Sequence, residues 1–269
     1  MTERSIPDFD LDQIARSGQC FRFRPLGERH YALVAGGRYL EVSQQGQTVR
    51  FDCPEEEFEA VWRPYFDLDA DYGRYKSAVA KRDKYLQSAV AAAGGLRILQ
   101  QELWETIVCF IISQQNNIAR ITKCVENLCL LFGETCYNKS KQVYNAFPSA
   151  ERLAACTADE LAPIRLGYRA KYILAAARQV ASCEVNLDAV RRMDYAHAKA
   201  ELMRLTGVGV KVAECICLFA LHHIDAFPID THIRQMLDAH YPKGFPLRRY
   251  KGFAGVMQQY AFYYELVKN

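Results

Sequence analysis

No pair of cysteines in this chain has C-x-x-C spacing, although ten cysteines are present. A structural zinc site built on paired thiolates is therefore not expected. No apolar run reaches the length of a membrane span, and the start, Met1-Thr2-Glu3-Arg4-Ser5, is not a secretory leader. Internal repeats and low-complexity linkers are also missing. Neither sign of charge dominates, with 34 Lys and Arg against 31 Asp and Glu, a net charge of +3 and a pI near 8.3. Such a balance permits a nucleic-acid partner without requiring one, because a basic stripe can hide within it. The thiols fall mostly in apolar, helix-like runs, which reads as buried free cysteine in a reducing compartment. A soluble intracellular protein with no membrane partner, no metal and no cofactor is expected, in the cytoplasm or nucleoid if bacterial.

What is present suffices for a packed core: 269 residues, 50% of them hydrophobic. Residues 18–52 read as an antiparallel meander. Its expected strands are Cys20–Arg24, His30–Val34, Tyr39–Ser43 and Thr48–Asp52, separated by glycine-containing turns. Glu57, Phe58, Val61 and Trp62 fit a short amphipathic helix, and from about Tyr72 onward only helix and loop are expected. Trp104–Ile112 is apolar nearly all round and predicts a central buried helix. Ile118–Phe132 is amphipathic, and Thr157-Ala158-Asp159-Glu160 has the form of a capping box. The fold class is α+β: a small antiparallel sheet domain over residues 1–75 and a larger helical domain over 76–269.

Within the helical part, Tyr195–Leu205 and Val210–Leu221 flank the turn Thr206-Gly207-Val208-Gly209. Glycine accepts positive φ and lacks a Cβ, so two helices can approach closely across such a turn. The first N–H groups of the second helix lack intrahelical partners, and with the helix dipole they suit a phosphate. Contact through backbone is blind to base sequence. A glycine pair alone favours a plain helical hairpin without ligand, since so short a motif matches often by chance. Lys211, in the first turn of the second helix, and Asp230, farther along, change that balance. The dipole and partial burial disfavour a charged lysine, and a neutral amine is a nucleophile able to form a Schiff base; the bland alternative is a solvated surface lysine. Asp230 lies in Phe227-Pro228-Ile229-Asp230-Thr231-His232, just before a helix, and is expected to be its N-cap. The same hydrogen bonds would fix a carboxylate beside a developing sugar cation.

Four further runs occur in order with the hairpin: Gly18-Gln19-Cys20-Phe21-Arg22-Phe23, Asn116-Asn117-Ile118-Ala119-Arg120-Ile121, Leu166-Gly167-Tyr168-Arg169-Ala170-Lys171-Tyr172 and Gly209-Val210-Lys211-Val212-Ala213-Glu214-Cys215. Together they resemble the 8-oxoguanine DNA glycosylase/AP lyase family of the helix-hairpin-helix glycosylase superfamily, from about Gly18 to Phe262. The resemblance implies Lys211 as the nucleophile that displaces the base and holds the sugar as an imine, with Asp230 stabilising the reacting centre. Gly18 would offer its carbonyl to the N7 hydrogen that oxidation adds to guanine. Gln258 would bond the Watson–Crick edge of the flipped base, which Phe262 and Cys215 would sandwich. Tyr168 would wedge the duplex, Arg120 and Arg169 would read the orphaned cytosine, and Gly207, Gly209 and His232 would meet phosphate. Asn116 lies beside the position that fills the vacated stack. That position is Gln115, a departure from the asparagine of the family. The short segment ahead of Gly18 and short loops over 241–251 suit a compact, bacterial form. Without a terminal four-cysteine cluster the iron–sulfur branch is disfavoured, and Lys211 counts against the alkyl-base branch.

The function expected from all this is a monomeric, bifunctional enzyme acting on duplex DNA that contains oxidised guanine. It would excise 8-oxoguanine, preferably opposite cytosine, then cleave by β-elimination. A glycosylase for another damaged base differs only in the pocket residues. A non-catalytic hairpin protein would keep the glycines without needing Lys211 and Asp230 together.

Overall fold

The computed structural model describes residues 1–268. Its N-terminal part is a five-stranded antiparallel sheet of β1 (Thr2–Ser5), β2 (Phe23–Gly27), β3 (His30–Ala35), β4 (Arg38–Gln45) and β5 (Thr48–Phe51), in the order β1-β5-β4-β3-β2. The meander is as expected, with two corrections. β1 adds an edge strand that the polar run Thr2–Ser5 gives no apolar alternation to betray. The second strand begins at Phe23 rather than Cys20, because the Gln19 carbonyl accepts from the Gln101 side chain instead of a strand neighbour. On β3, β4 and β5 the inward set is Tyr31 and Leu33, Leu40 and Val42, Val49 and Phe51, the two-residue period of a half-buried sheet. Leu11 and Ile14 of the Leu11–Arg16 helix and the aromatic residues Phe58, Trp62 and Phe66 pack against this face. Phe58–Trp62 is a π-helical stretch between two short α-helical turns rather than a plain amphipathic helix.

The helical part is built around Leu103–Ile112, in which every residue except Glu105 is buried. Around it lie Ile118–Phe132, Arg169–Ala181, the hairpin helices Tyr195–Leu202 and Val210–Phe219, then Thr231–His240 and Ala254–Lys268. Thr157 and Glu160 form the capping box reciprocally. The expectation of helix and loop alone after Tyr72 fails at one place: Thr135–Tyr137 pairs with Val143–Asn145 as a two-stranded ribbon. The two hydrophobic cores interlock. Phe21 comes from the N-terminal part but joins the helical core, and Leu99 does the reverse. Eight of the ten cysteines, Cys136 and Cys183 excepted, are buried free thiols. Among the described residues no helix is long and apolar enough to cross a membrane.

Candidate active site

Three elements converge on one cavity of about 350 Å³. The Val210–Phe219 helix contributes Lys211 and Cys215, four residues apart and so on one face. The Ala254–Lys268 helix contributes Gln258 and Phe262 at the same spacing. The loop after the Leu11–Arg16 helix contributes Gly18, and Pro228, Asp230 and His232 complete the wall. Gly18 has φ +72°, and a Cβ there would lie 3.2 Å from the Phe262 ring and 3.4 Å from Ile118 Cδ1. A side chain at this position would therefore be both strained and crowded against the pocket.

Lys211 is half-buried, and its Nζ lies 5.3 Å from the centroid of the Phe110 ring. Burial pushes the Cys215 thiol up to about 11, with the neighbouring Lys211 amine pulling the other way. At neutral pH this sulfur is a neutral thiol and packs as an apolar group. Asp230 is the N-cap of Thr231–His240, its Oδ1 accepting from the Ile233 N–H at 2.8 Å. Gln258 is 4% exposed and donates through Nε2 to the Pro228 carbonyl at 3.0 Å, while its buried Oε1 has no hydrogen-bond partner among the described residues. A buried acceptor left unpaired costs about 1–3 kcal/mol, which a ligand donor could recover. Apolar walls surround these groups. Phe110 and Phe219 stack at 5.5 Å and 15°, and Phe21 meets Phe110 edge-on at 5.9 Å.

A second, more open cavity of about 550 Å³ adjoins the first and shares Lys211, Asp230, Asn116 and His232 with it. Gln115, Tyr168 and Gly209 line only this outer space. Lys211 and Asp230 thus stand where the two cavities meet. Gly209 has extended backbone and is an N-cap with no side-chain hydrogen bond, so the first turn of the Val210–Phe219 helix is uncapped. Gly207 has φ +87°, and a Cβ there would fall 2.6 Å from Tyr172 Cβ, so this position requires glycine. Tyr168 is 41% exposed on the rim. His232 is exposed, its ring 6.3 Å from that of Phe262. Gln115 is exposed at φ +47°. Asparagine reaches that left-handed region more readily than glutamine.

Arg120, Arg169 and Gly207 line neither cavity. Arg120 is exposed and donates to the Arg165 carbonyl at 3.2 Å. Arg169 is 5% exposed, with its guanidinium over the Tyr168 ring. It donates to the backbone carbonyls of Gln114 at 2.8 Å, Gln115 at 2.9 Å and Leu166 at 3.2 Å. In this state it holds the turn that presents Gln115.

Several residues that shape the site were not singled out from the sequence. Phe110 and Phe219 lie in runs whose apolar character spoke only of core. Gln114 donates to the Gly207 carbonyl at 2.9 Å, tying the Gln115 turn to the hairpin. Glu214 is buried and accepts from the Tyr195 hydroxyl at 2.6 Å and the Phe227 N–H at 3.0 Å, and it pairs with Lys199. It thereby joins both hairpin helices to the segment that leads to Asp230. A charged residue inside an otherwise apolar helix was the available signal.

Residues 108–243 match the family model described as HhH-GPD superfamily base excision DNA repair protein. Residues 2–107 match that of the 8-oxoguanine DNA glycosylase N-terminal domain. The class is thus a helix-hairpin-helix base excision repair protein. Among its members, the chain is 37% identical over 257 residues to the N-glycosylase/DNA lyase of Saccharomyces cerevisiae, covering 86% of this chain and 68% of the yeast protein. It superimposes with a TM-score of 0.92 at 33% identity on the 8-oxoguanine glycosylase/lyase of Clostridium acetobutylicum in complex with double-stranded DNA containing cytosine opposite 8-oxoG, covering 99% of this chain and 94% of that one. The 3-methyladenine DNA-glycosylase of Archaeoglobus fulgidus shares the fold, with a TM-score of 0.78 at 19% identity over the full length of both chains. The chain belongs to the 8-oxoguanine DNA glycosylase family.

Proposed function

We propose that this protein excises 8-oxoguanine, preferably opposite cytosine, from duplex DNA and then cleaves the strand as an AP lyase. The observation that carries this is the meeting of Lys211, Asp230 and the unpartnered buried Oε1 of Gln258 in one cavity. A base inside a duplex hides its glycosidic bond, so the nucleotide must be turned out of the stack. The cavity lined by Gln258 and Phe262 would take the base, and the adjoining one the backbone. Lys211 Nζ attacks C1′ of the sugar, the C1′–N9 bond breaks, and the base leaves with the bonding electron pair. Ring opening gives an imine on Lys211. Loss of a proton from C2′ then expels the 3′ phosphate. The Asp230 carboxylate, fixed by its cap bond, stabilises the positive charge that develops on the sugar. Phe262 and the neutral Cys215 flank the base, and Gln258 supplies an amide to its Watson–Crick edge.

The five strands of the large sheet all lie before residue 52, and the helical core is built mostly from residues after 72, which supports a domain boundary near residue 75; a DNA substrate implies an intracellular site of action, the cytoplasm or nucleoid in a bacterium. Borohydride trapping on duplex containing 8-oxoguanine tests the chemistry. The wild-type protein should form a covalent complex, and Lys211→Gln should bind the same DNA without trapping or excision. Normal trapping by Lys211→Gln would remove Lys211 from the reaction.

A further inference from the structure

The Gly18 loop is held by three glutamine side chains that have no assigned part in the proposed chemistry, although Gln259 also lines the cavity. Gln259, 2% exposed, donates through Nε2 to the Ser17 carbonyl at 2.8 Å. Gln101 donates through Nε2 to the Gln19 carbonyl at 2.7 Å. Gln19, fully buried, donates to Ser17 Oγ and to the Arg97 carbonyl, each at 2.9 Å, and accepts from the Leu99 N–H at 2.8 Å. The carbonyls on both sides of Gly18 are therefore occupied by amide donors. Among the described residues no hydrogen bond is made to the Gly18 carbonyl itself.

These contacts come from different parts of the molecule. Gln259 follows Gln258 on the Ala254–Lys268 helix, whereas Gln101 precedes the Leu103–Ile112 helix, its own N–H bonded to the Phe219 carbonyl at 2.8 Å. Both flanking carbonyls being fixed, the Gly18 peptide between them has little freedom to rotate. Gly18 has φ +72°, and Phe262 and Ile118 lie where a Cβ would point, so the position suits glycine.

We propose that Gln259 and Gln101 are positioning residues for lesion selection: they clamp the peptide units on either side of Gly18 and so hold its carbonyl where a base N–H can be told from a lone pair. The inference rests on the proposed excision of 8-oxoguanine. A carbonyl distinguishes a donor from an acceptor only if it cannot turn away from the acceptor. A loosened loop would let normal guanine escape the repulsion and would let the lesion lose its bond. A preformed abasic site offers no base to select, so its cleavage does not depend on this clamp.

The test uses the full chain with Gln259→Met and, separately, Gln101→Met, which keep the side-chain volume but remove the donor. Two single-turnover rates are measured on duplex DNA: excision of 8-oxoguanine opposite cytosine and cleavage at a preformed abasic site. The ratio of excision to cleavage should fall about tenfold in each variant, the consequence of one lost buried hydrogen bond. Should Gln259→Met not fold, Gln101→Met tests the same clamp from the opposite side. A ratio within twofold of wild type in a folded variant overturns the inference, as does an equal fall in both rates. Failure of the wild-type protein to excise 8-oxoguanine would instead overturn the proposed function.

Discussion

Asp230 combines two roles that a single substitution can separate. As a cap it accepts from the Ile233 N–H, and asparagine can do the same. As the charge proposed to stand beside the sugar it would have no neutral substitute. Asp230→Asn should therefore melt close to wild type while excision falls on the order of 100-fold. A loss of activity that merely tracked a loss of melting temperature would make the acid structural. Asp230 and Lys211 were legible in the sequence because their residue types and places, at a helix start, follow local rules. Arg169 was legible only as a type. Its burial against the Gln114 and Gln115 carbonyls depends on a turn brought in from another part of the chain. The two arginines should consequently respond differently to alanine. Arg120→Ala, at an exposed position, should flatten a preference for cytosine over adenine opposite the lesion that amounts to about 1–3 kcal/mol, and should spare cleavage at a preformed abasic site. Single-turnover excision opposite each of the four bases measures this, and an unchanged preference would exclude Arg120 from reading the orphaned base.

Between elements, a contact with a consequence for stability is that of Arg22, just before β2, with Glu105 of the Leu103–Ile112 helix, both largely but not fully buried and 3.7 Å apart. Burial raises the Glu105 carboxyl to about 7, and the Arg22 charge offsets this only in part. A carboxyl whose pKa is higher folded than unfolded binds more protons in the folded state between those two values. Its contribution to stability is then fully present below the ordinary carboxylate range and is lost as the pH rises from about 4.5 to about 7. The difference in melting temperature between wild type and Glu105→Gln, followed across that range, should move in favour of the variant as pH rises. A constant difference would mean that Glu105 does not titrate there. Nothing in the sequence marked this pair, since Arg22 and Glu105 are far apart along the chain. Elements with a local signature fared better. The Thr157 capping box and the central helix read directly from their residues, as did the glycine turns of the meander. β1 and the ribbon of Thr135–Tyr137 with Val143–Asn145 are short and lack alternation, and their partners alone make them strands.

At the scale of the molecule, the chain places two cavities side by side, with Lys211 and Asp230 at their junction. Gln114, Arg169 and Glu214 show how that placement is kept: each bonds to backbone of a segment distant in sequence. The α+β class followed from pattern alone, whereas this cross-linking could be seen only after folding. The uncapped start of the Val210–Phe219 helix carries a consequence of another kind, in time rather than in structure. A grip made by main-chain N–H groups is the same at every nucleotide, so a sequence offers no place to linger. Dwell on undamaged DNA would then be set by ionic strength, and each landing would be a brief patrol whose length shrinks as salt rises. With such a grip the pocket would be occupied only at the rare stop, and the protein would spend most of its working life moving.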